Sequence, residues 1–207
     1  RSGFAHMFEH LMFKATRNLP PETFDRLTED VGGTNNASTG LDLTNYYETV
    51  PAQHLERMLF AEAERMGSLV VDEESFTSET AVVQEELRQR VYAPPYGRLQ
   101  RFVIGDNSFD ESIYRRSVIG SIEELDSAQI EDARAFHEAY YRPATATMIV
   151  SGNFDPAELD RLVDQYFADI RNPDRPVPVF ERPVETPRTA PRLVDAYAPN
   201  VPLPAVG

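Results

Sequence analysis

The residues best suited to chemistry lie at the front of the chain, in the run His6-Met7-Phe8-Glu9-His10. On a helix, positions i, i+3 and i+4 share one face. Both imidazoles and the Glu9 carboxylate would therefore point into the same space. Neutral imidazoles are good Zn²⁺ ligands, and a carboxylate one turn from a ligand can take a proton from water held at the metal. The bland alternative is two surface histidines with a glutamate partner. A hydrolytic zinc site needs a third protein ligand and a fourth position left for water. The acidic stretch beginning at Glu73 offers candidates. Glu79 and Glu86 are two turns apart and share a face, and Ala81, Val82 and Val83 between them supply apolar contacts. Glu85 sits about 100° round the helix from Glu86, so only one of the two can share the face of Glu79. Most of the other carboxylates there read as a solvated face. His54 and His137 have no partner pattern and read as ordinary surface or packing histidines.

Several elements must hold these residues in place. Ser2 to about Lys14 predicts a helix, with Ser2 as its N-cap. A short helix follows Pro20-Pro21, with Phe24, Leu27 and Val31 at helical spacing and Gly32-Gly33 as its stop. Thr34 to Val50 predicts a β-hairpin turning at Gly40-Leu41-Asp42. Pro51 opens a helix striped by Leu55, Met58, Leu59 and Ala63. Glu73 to about Val91 predicts a long helix ended by Pro94-Pro95. Residues 96–119 are mixed, with a short helix near Leu99–Ile104. Ser121 with Glu124, and Asp126 with Gln129, offer capping-box starts for a helix reaching Tyr141. Thr145–Ser151 predicts a short buried strand, and Asp155-Pro156 opens a helix running to about Ile170. Nine of the 16 prolines fall between Pro173 and Pro204, which predicts an extended linker. Arg192–Tyr197 could form a strand within it. The class is α+β, with one compact domain over residues 1–172 and a tail over 173–207.

Composition narrows the function. The chain has 207 residues, enough for one domain or one plus a stub. Twenty Lys and Arg against 34 Asp and Glu give a net charge of −14, unsuited to nucleic-acid phosphates or anionic membrane surfaces. No apolar run approaches the ~20 residues of a membrane span. The absence of cysteine excludes disulfides, thiolate metal sites and Cys nucleophiles, and leaves the compartment open. The chain begins Arg1-Ser2-Gly3 rather than with Met, so it reads as cut at the front.

Together these features resemble the insulinase/pitrilysin metallopeptidases, in particular the processing-peptidase-like bacterial branch. The H-x-x-E-H order is that of the inverzincins. The family's third ligand is a Glu about 76 residues after the second His, which from His10 lands on Glu86. A second acidic residue lies seven before that ligand, where this chain has Glu79. The resemblance implies one Zn²⁺ held by His6, His10 and Glu86, with Glu9 as general base and Glu79 as a carboxylate behind the ligands.

The family pattern G-x-x-N-A-x-T-x-x-D-x-T-x-Y is matched by Gly33, Asn36, Ala37, Thr39, Asp42, Thr44 and Tyr46. In the family this is an edge strand whose backbone pairs with an extended peptide. Asn36, Ala37, Ser38 and Thr39 are thus implied as substrate-binding residues, a mode physically grounded in β-augmentation. Pro95-Tyr96-Gly97-Arg98, Val118-Ile119-Gly120-Ser121 and Val150-Ser151-Gly152-Asn153-Phe154-Asp155 are further matches. Ser112-Ile113-Tyr114 departs from the His-Pro-Tyr of many relatives.

The implied fold is a mostly antiparallel sheet with helices packed on one face. The implied activity is zinc-dependent endopeptidase action on peptides or small unfolded proteins. A non-catalytic partner subunit on the same fold is the alternative, and an S-ribosylhomocysteine lyase is a weaker one. The resemblance further implies a strand before Arg1, with residues 173–207 as linker and stub of a second homologous domain. That domain, or a partner subunit, would close a chamber and supply an Arg and a Tyr.

Overall fold

The computed structural model describes residues 2–198 and 201–205. The first helix, α1 (Phe4–Leu11), is the hub. Phe4, Met7, Phe8 and Leu11 stand at i, i+3, i+4 and i+7, and all four are buried. Eight residues are too few to hold a helix in isolation, so packing of this stripe maintains it. The stripe meets Phe76 and Val83 of α4 (Glu73–Leu87), Leu125 of α6 (Ile122–Asp126), and Ile130 and Ala133 of α7 (Ile130–Tyr140). The opposite face of α1 is left to His6, Glu9 and His10.

Ser2 is not the N-cap of α1. Gly3 occupies that position at φ 82°, and the Ser2 hydroxyl and backbone N–H donate to the Glu124 carboxylate instead. The reason is a close approach. A Cβ on Gly3 would lie 2.9 Å from the Gly120 Cα, and one on Gly120 would lie 2.8 Å from the Gly3 Cα. Only glycine fits at both places, and both have positive φ.

After α2 (Thr23–Glu29) comes the hairpin, β1 (Thr34–Thr39) and β2 (Thr44–Thr49). It is antiparallel, with Ala37 opposite Tyr46 and Thr39 opposite Thr44. Gly40 N–H donates to Leu43 O at 2.8 Å, which closes a two-residue turn at Leu41-Asp42. Hydrogen-bonded and non-hydrogen-bonded pairs alternate along such a ladder. The backbone groups of Asn36 and Ser38 therefore face β2, and those of Asn35, Ala37 and Thr39 face the other edge. Among the described residues no strand pairs with that edge. The side chains of Asn35, Ala37 and Thr39 are half-buried and those of Thr34, Asn36 and Ser38 are exposed.

Pro51 sits just outside a 3₁₀ turn (Ala52–His54) that leads into α3 (Leu55–Gly67). Asp72 caps α4, accepting from Ser75 N–H at 2.8 Å. The path continues through a π-helical turn, Arg88–Tyr92, to the prolines. A second π-helical turn, Leu99–Val103, runs into α5 (Ile104–Ser108). Ser121 caps α6, but the box before α7 pairs Gln129 with Asp132 rather than Asp126 with Gln129. Asp155 caps α8 (Pro156–Phe167), which stops short of Ile170.

The architecture is α+β, with a single two-stranded antiparallel ladder among the described residues. The strand expected over Thr145–Ser151 is absent. Pro143–Thr145 is a 3₁₀ turn, and the extended residues that follow leave Ile149 85% exposed. No described strand lies beside them to accept a ladder, so their apolar side chains stay uncovered. Arg192–Tyr197 forms no strand either, and Leu193 and Tyr197 are exposed. The proline-rich stretch lies back along a loop: the Glu185 carboxylate accepts from the N–H groups of Asp110, Glu111 and Ser112 at 2.7–3.0 Å. Within the expected second-domain stub, Pro199, Asn200, Val206 and Gly207 lie outside the described residues.

Candidate metal centre

The outer face of α1 meets α4, and three side chains converge there. His6 Nε2 and His10 Nε2 each lie 3.5 Å from Glu86 Oε2. The donor atoms of His6, His10 and Glu86 all lie within 4.8 Å of one another. The imidazole rings sit 5.0 Å apart and nearly perpendicular, so each aims a nitrogen inward. Glu86 is 15% exposed, whereas Glu85 is 54% exposed and pairs with Arg88 at 3.4 Å. The turn of the helix thus chooses between the two neighbouring glutamates.

Glu79 stands behind His10. Its Oε2 lies 3.3 Å from His10 Nδ1, and its Oε1 lies 2.8 Å from Lys14 Nζ. Burial pushes the Glu79 pKa up, but the bonds from His10 and Lys14 outweigh it and hold the carboxyl below its ordinary value. Glu79 is therefore an anion and accepts the Nδ1 proton. In the neutral ring this contact places the lone pair on Nε2, the nitrogen that faces Glu86. The same bond raises the His10 pKa against the effect of burial. His6 is shifted the other way: desolvation lowers its pKa, which favours the neutral, ligating form.

This donor set fits a zinc ion. Two imidazole nitrogens converge on one carboxylate oxygen, His6 Nε2 and His10 Nε2 each 3.5 Å from Glu86 Oε2. Two atoms bound tetrahedrally at about 2.0–2.1 Å would be about 3.3–3.4 Å apart. Two nitrogens and one oxygen form the three-ligand set of catalytic zinc sites, which keep an open position.

Glu9 is half-buried beside the histidines. Its Oε2 accepts a hydrogen bond from the Thr39 hydroxyl. Of the four residues expected to bind substrate, Asn36 and Ser38 turn their side chains outward and Ala37 and Thr39 inward. Asn36 Oδ1 accepts from Ala37 N–H at 2.8 Å.

Sequence reasoning missed three contacts: Lys14 on Glu79, Arg90 Nη1 on Glu86 Oε1 at 2.6 Å, and Thr39 on Glu9. Lys14 follows His10 by four residues and Arg90 follows Glu86 by four, so helical spacing could have flagged both. Nothing local links Thr39 to Glu9.

The sequence model of the insulinase family (peptidase family M16) matches residues 1–100, and that of the peptidase M16 inactive domain matches residues 127–206. The chain belongs to the insulinase family. His6, Glu9, His10, Glu79 and Glu86 all fall in the first match. Among insulinase-family relatives, the chain is 34% identical over 186 residues to the zinc protease PqqE of Helicobacter pylori, covering 88% of this chain and 42% of that protein. It is 31% identical to an uncharacterised zinc protease of Mycobacterium leprae, covering 80% of this chain and 37% of the relative. The crystal structure of a protease from Helicobacter pylori superimposes with a TM-score of 0.84 at 33% identity, covering 89% of this chain and 44% of that one. The chain thus spans under half the length of these relatives.

Proposed function

We propose that this chain carries the zinc-binding, catalytic part of a metalloendopeptidase that cleaves peptides or small unfolded proteins. The observation behind this reading is the convergence of His6, His10 and Glu86 within 4.8 Å, with Glu9 on the same helix. A zinc ion held by these three would polarise the scissile carbonyl and lower the pKa of water. Glu9 then takes the water proton and returns it to the leaving amine. Glu79 holds His10 in the tautomer that ligates, and Arg90 steadies the second oxygen of Glu86. The outward backbone of β1, at Ala37 and Thr39, pairs with an extended peptide and leaves its side chains loosely specified. Asn36 and Ser38 flank that peptide from the exposed face.

The catalytic unit is assigned to residues 1–172. A second homologous domain, or a partner subunit, is proposed to cover the peptide from the other side. The presence of His6, Glu9, His10 and Glu86 together argues against the alternative of a purely non-catalytic partner subunit on the same fold.

The test is Glu9→Gln in the full-length protein. Gln keeps the shape and the ligands but cannot accept the proton. The variant is expected to keep one zinc and to lose about 10²–10⁴ in turnover of a quenched-fluorescent peptide. Near-normal turnover by the zinc-loaded variant would remove Glu9 as the base. A wild-type protein that binds no zinc would remove the whole reading.

A further inference from the structure

Thr39 faces two ways. Its backbone lies on the outward edge of β1, and its hydroxyl turns inward to the Glu9 carboxylate. We propose that Thr39 is a positioning residue: its hydroxyl holds Glu9 by Oε2, so that Oε1 alone stays open to take up the proton. The proposal rests on the reading of Glu9 as general base.

The hydrogen-bond inventory supports it. An ionised carboxylate only accepts, so the single Thr39 hydrogen goes to Glu9. Thr39 Oγ1 also lies 3.2 Å from Thr44 Oγ1, its cross-strand neighbour. With its own hydrogen committed, Thr39 accepts there and Thr44 donates. Two residues along β2 from Thr44, the Tyr46 hydroxyl lies 2.8 Å from the Tyr141 hydroxyl. The hydrogens then run in one direction, from Thr44 to Thr39 to Glu9. Bonds chained in this sense polarise one another toward the carboxylate.

The hairpin that carries Thr39 and Thr44 is itself anchored. Burial pushes the pKa of Tyr46 and of Tyr141 up, so both stay protonated. The guanidinium of Arg65, itself buried, stacks 5.0 Å from the Tyr46 ring centre. The Tyr141 ring packs 4.6 Å from that of Phe8, which is on α1 beside Glu9. The hairpin and α1 are thereby locked at the one place where the carboxylate must not rotate. A role in peptide binding through the backbone would be served by any β-forming residue. The side-chain contacts with Glu9 and Thr44, by contrast, require a hydroxyl.

Thr39→Val, Thr39→Ser, Glu9→Gln and the double variant Glu9→Gln/Thr39→Val, made in the zinc-loaded full-length protein, test this. Valine is close in shape and favoured in strands. Thr39→Val is expected to lower kcat by about 10- to 100-fold, the range for losing a hydrogen bond to a charged group. KM, zinc content and melting temperature are expected to stay put, and Thr39→Ser to restore kcat. A labelled peptide should bind Glu9→Gln and the double variant with equal Kd by fluorescence anisotropy, and valine should add no kinetic loss once Glu9 is gone.

Wild-type kcat in Thr39→Val, alongside an inactive Glu9→Gln, would overturn the inference and spare the base. Weaker peptide binding with kcat unchanged would make Thr39 a strand contact alone, and so also overturn it. Near-normal turnover in Glu9→Gln would remove the base and the inference together. If valine lowers the melting temperature, Thr39→Ser against Thr39→Ala decides: kcat kept by serine alone sustains the proposal, and kcat kept by both defeats it.

Discussion

His10 is gripped on both ring nitrogens: Nδ1 lies 3.3 Å from Glu79 Oε2, and Nε2 lies 3.5 Å from Glu86 Oε2. The first contact orients the ring and sets its tautomer, and the second faces the proposed metal position. Partners that orient a ligating histidine typically contribute 10–100-fold in metal affinity. Glu79→Ala is therefore expected to weaken zinc binding by about that factor, measured by competition with a chelator of known affinity. Unchanged affinity would show that packing alone orients His10.

Glu86 and Glu85 differ by one position and by where they point. Glu86→Gln should lose more zinc affinity than any outer partner does, beyond about 100-fold. Glu85→Gln should bind like the unchanged protein, because Glu85 reaches only Arg88 and Gln89 at the surface. Metal content after dialysis of the two variants side by side checks this. A loss confined to Glu85→Gln would reassign the ligand.

Gly120 abuts Gly3, one residue before α1. A Cβ at residue 120 would lie 2.8 Å from both the Gly3 Cα and the Ser2 carbonyl oxygen, on a backbone at φ 78°. These are backbone atoms that cannot swing aside. Gly120→Ala is expected to destabilise the fold by about 1–3 kcal/mol, read from urea unfolding. A smaller loss would mean that the two loops can part without disturbing α1.

Glu62, which is not among the proposed ligands, introduces a pH dependence of stability. Burial, and then a hydrogen bond with Glu48, raise its pKa well above the ordinary 4.5, against the pull of Arg65. A carboxyl raised in the folded state binds more protons there than in the unfolded chain. Its contribution is complete below the unfolded pKa and is lost as pH rises through the folded one. Glu62→Gln, which mimics the protonated form, should therefore gain stability relative to the unchanged protein between about pH 5 and about pH 8. Urea titrations at the two pH values measure it, and an equal difference at both would refute the shift.

Much of the candidate site was legible because helical geometry is local. His6, Glu9 and His10 share a face by spacing alone, and so do Glu79 and Glu86. The hairpin was legible for a similar reason, from its turn residues and strand composition. The family spacing pointed to Glu86 rather than Glu85, but which face of α4 turns toward α1 is not local, since it depends on how the helix rolls. Packing of Val83 and Leu87, both fully buried, decides that roll.

Other features belong to the tertiary structure alone. Nothing local in the sequence marks Arg65 out. In the fold it is 2% exposed, lies within 4.6–5.0 Å of the ring centres of Phe13, Phe24 and Tyr46, and pairs with Glu48 and Glu62. The strand expected over Thr145–Ser151 failed for the converse reason. Apolar, β-branched residues favour an extended backbone, but a strand also needs a neighbour to take its hydrogen bonds, and composition does not say whether one is there. The Thr39–Glu9 contact joins residues 30 apart in the chain. By itself the sequence determined which side chains share a face, because helix and strand periods operate over a few residues. The fold alone determined which faces meet, because that depends on shape and burial summed over distant segments.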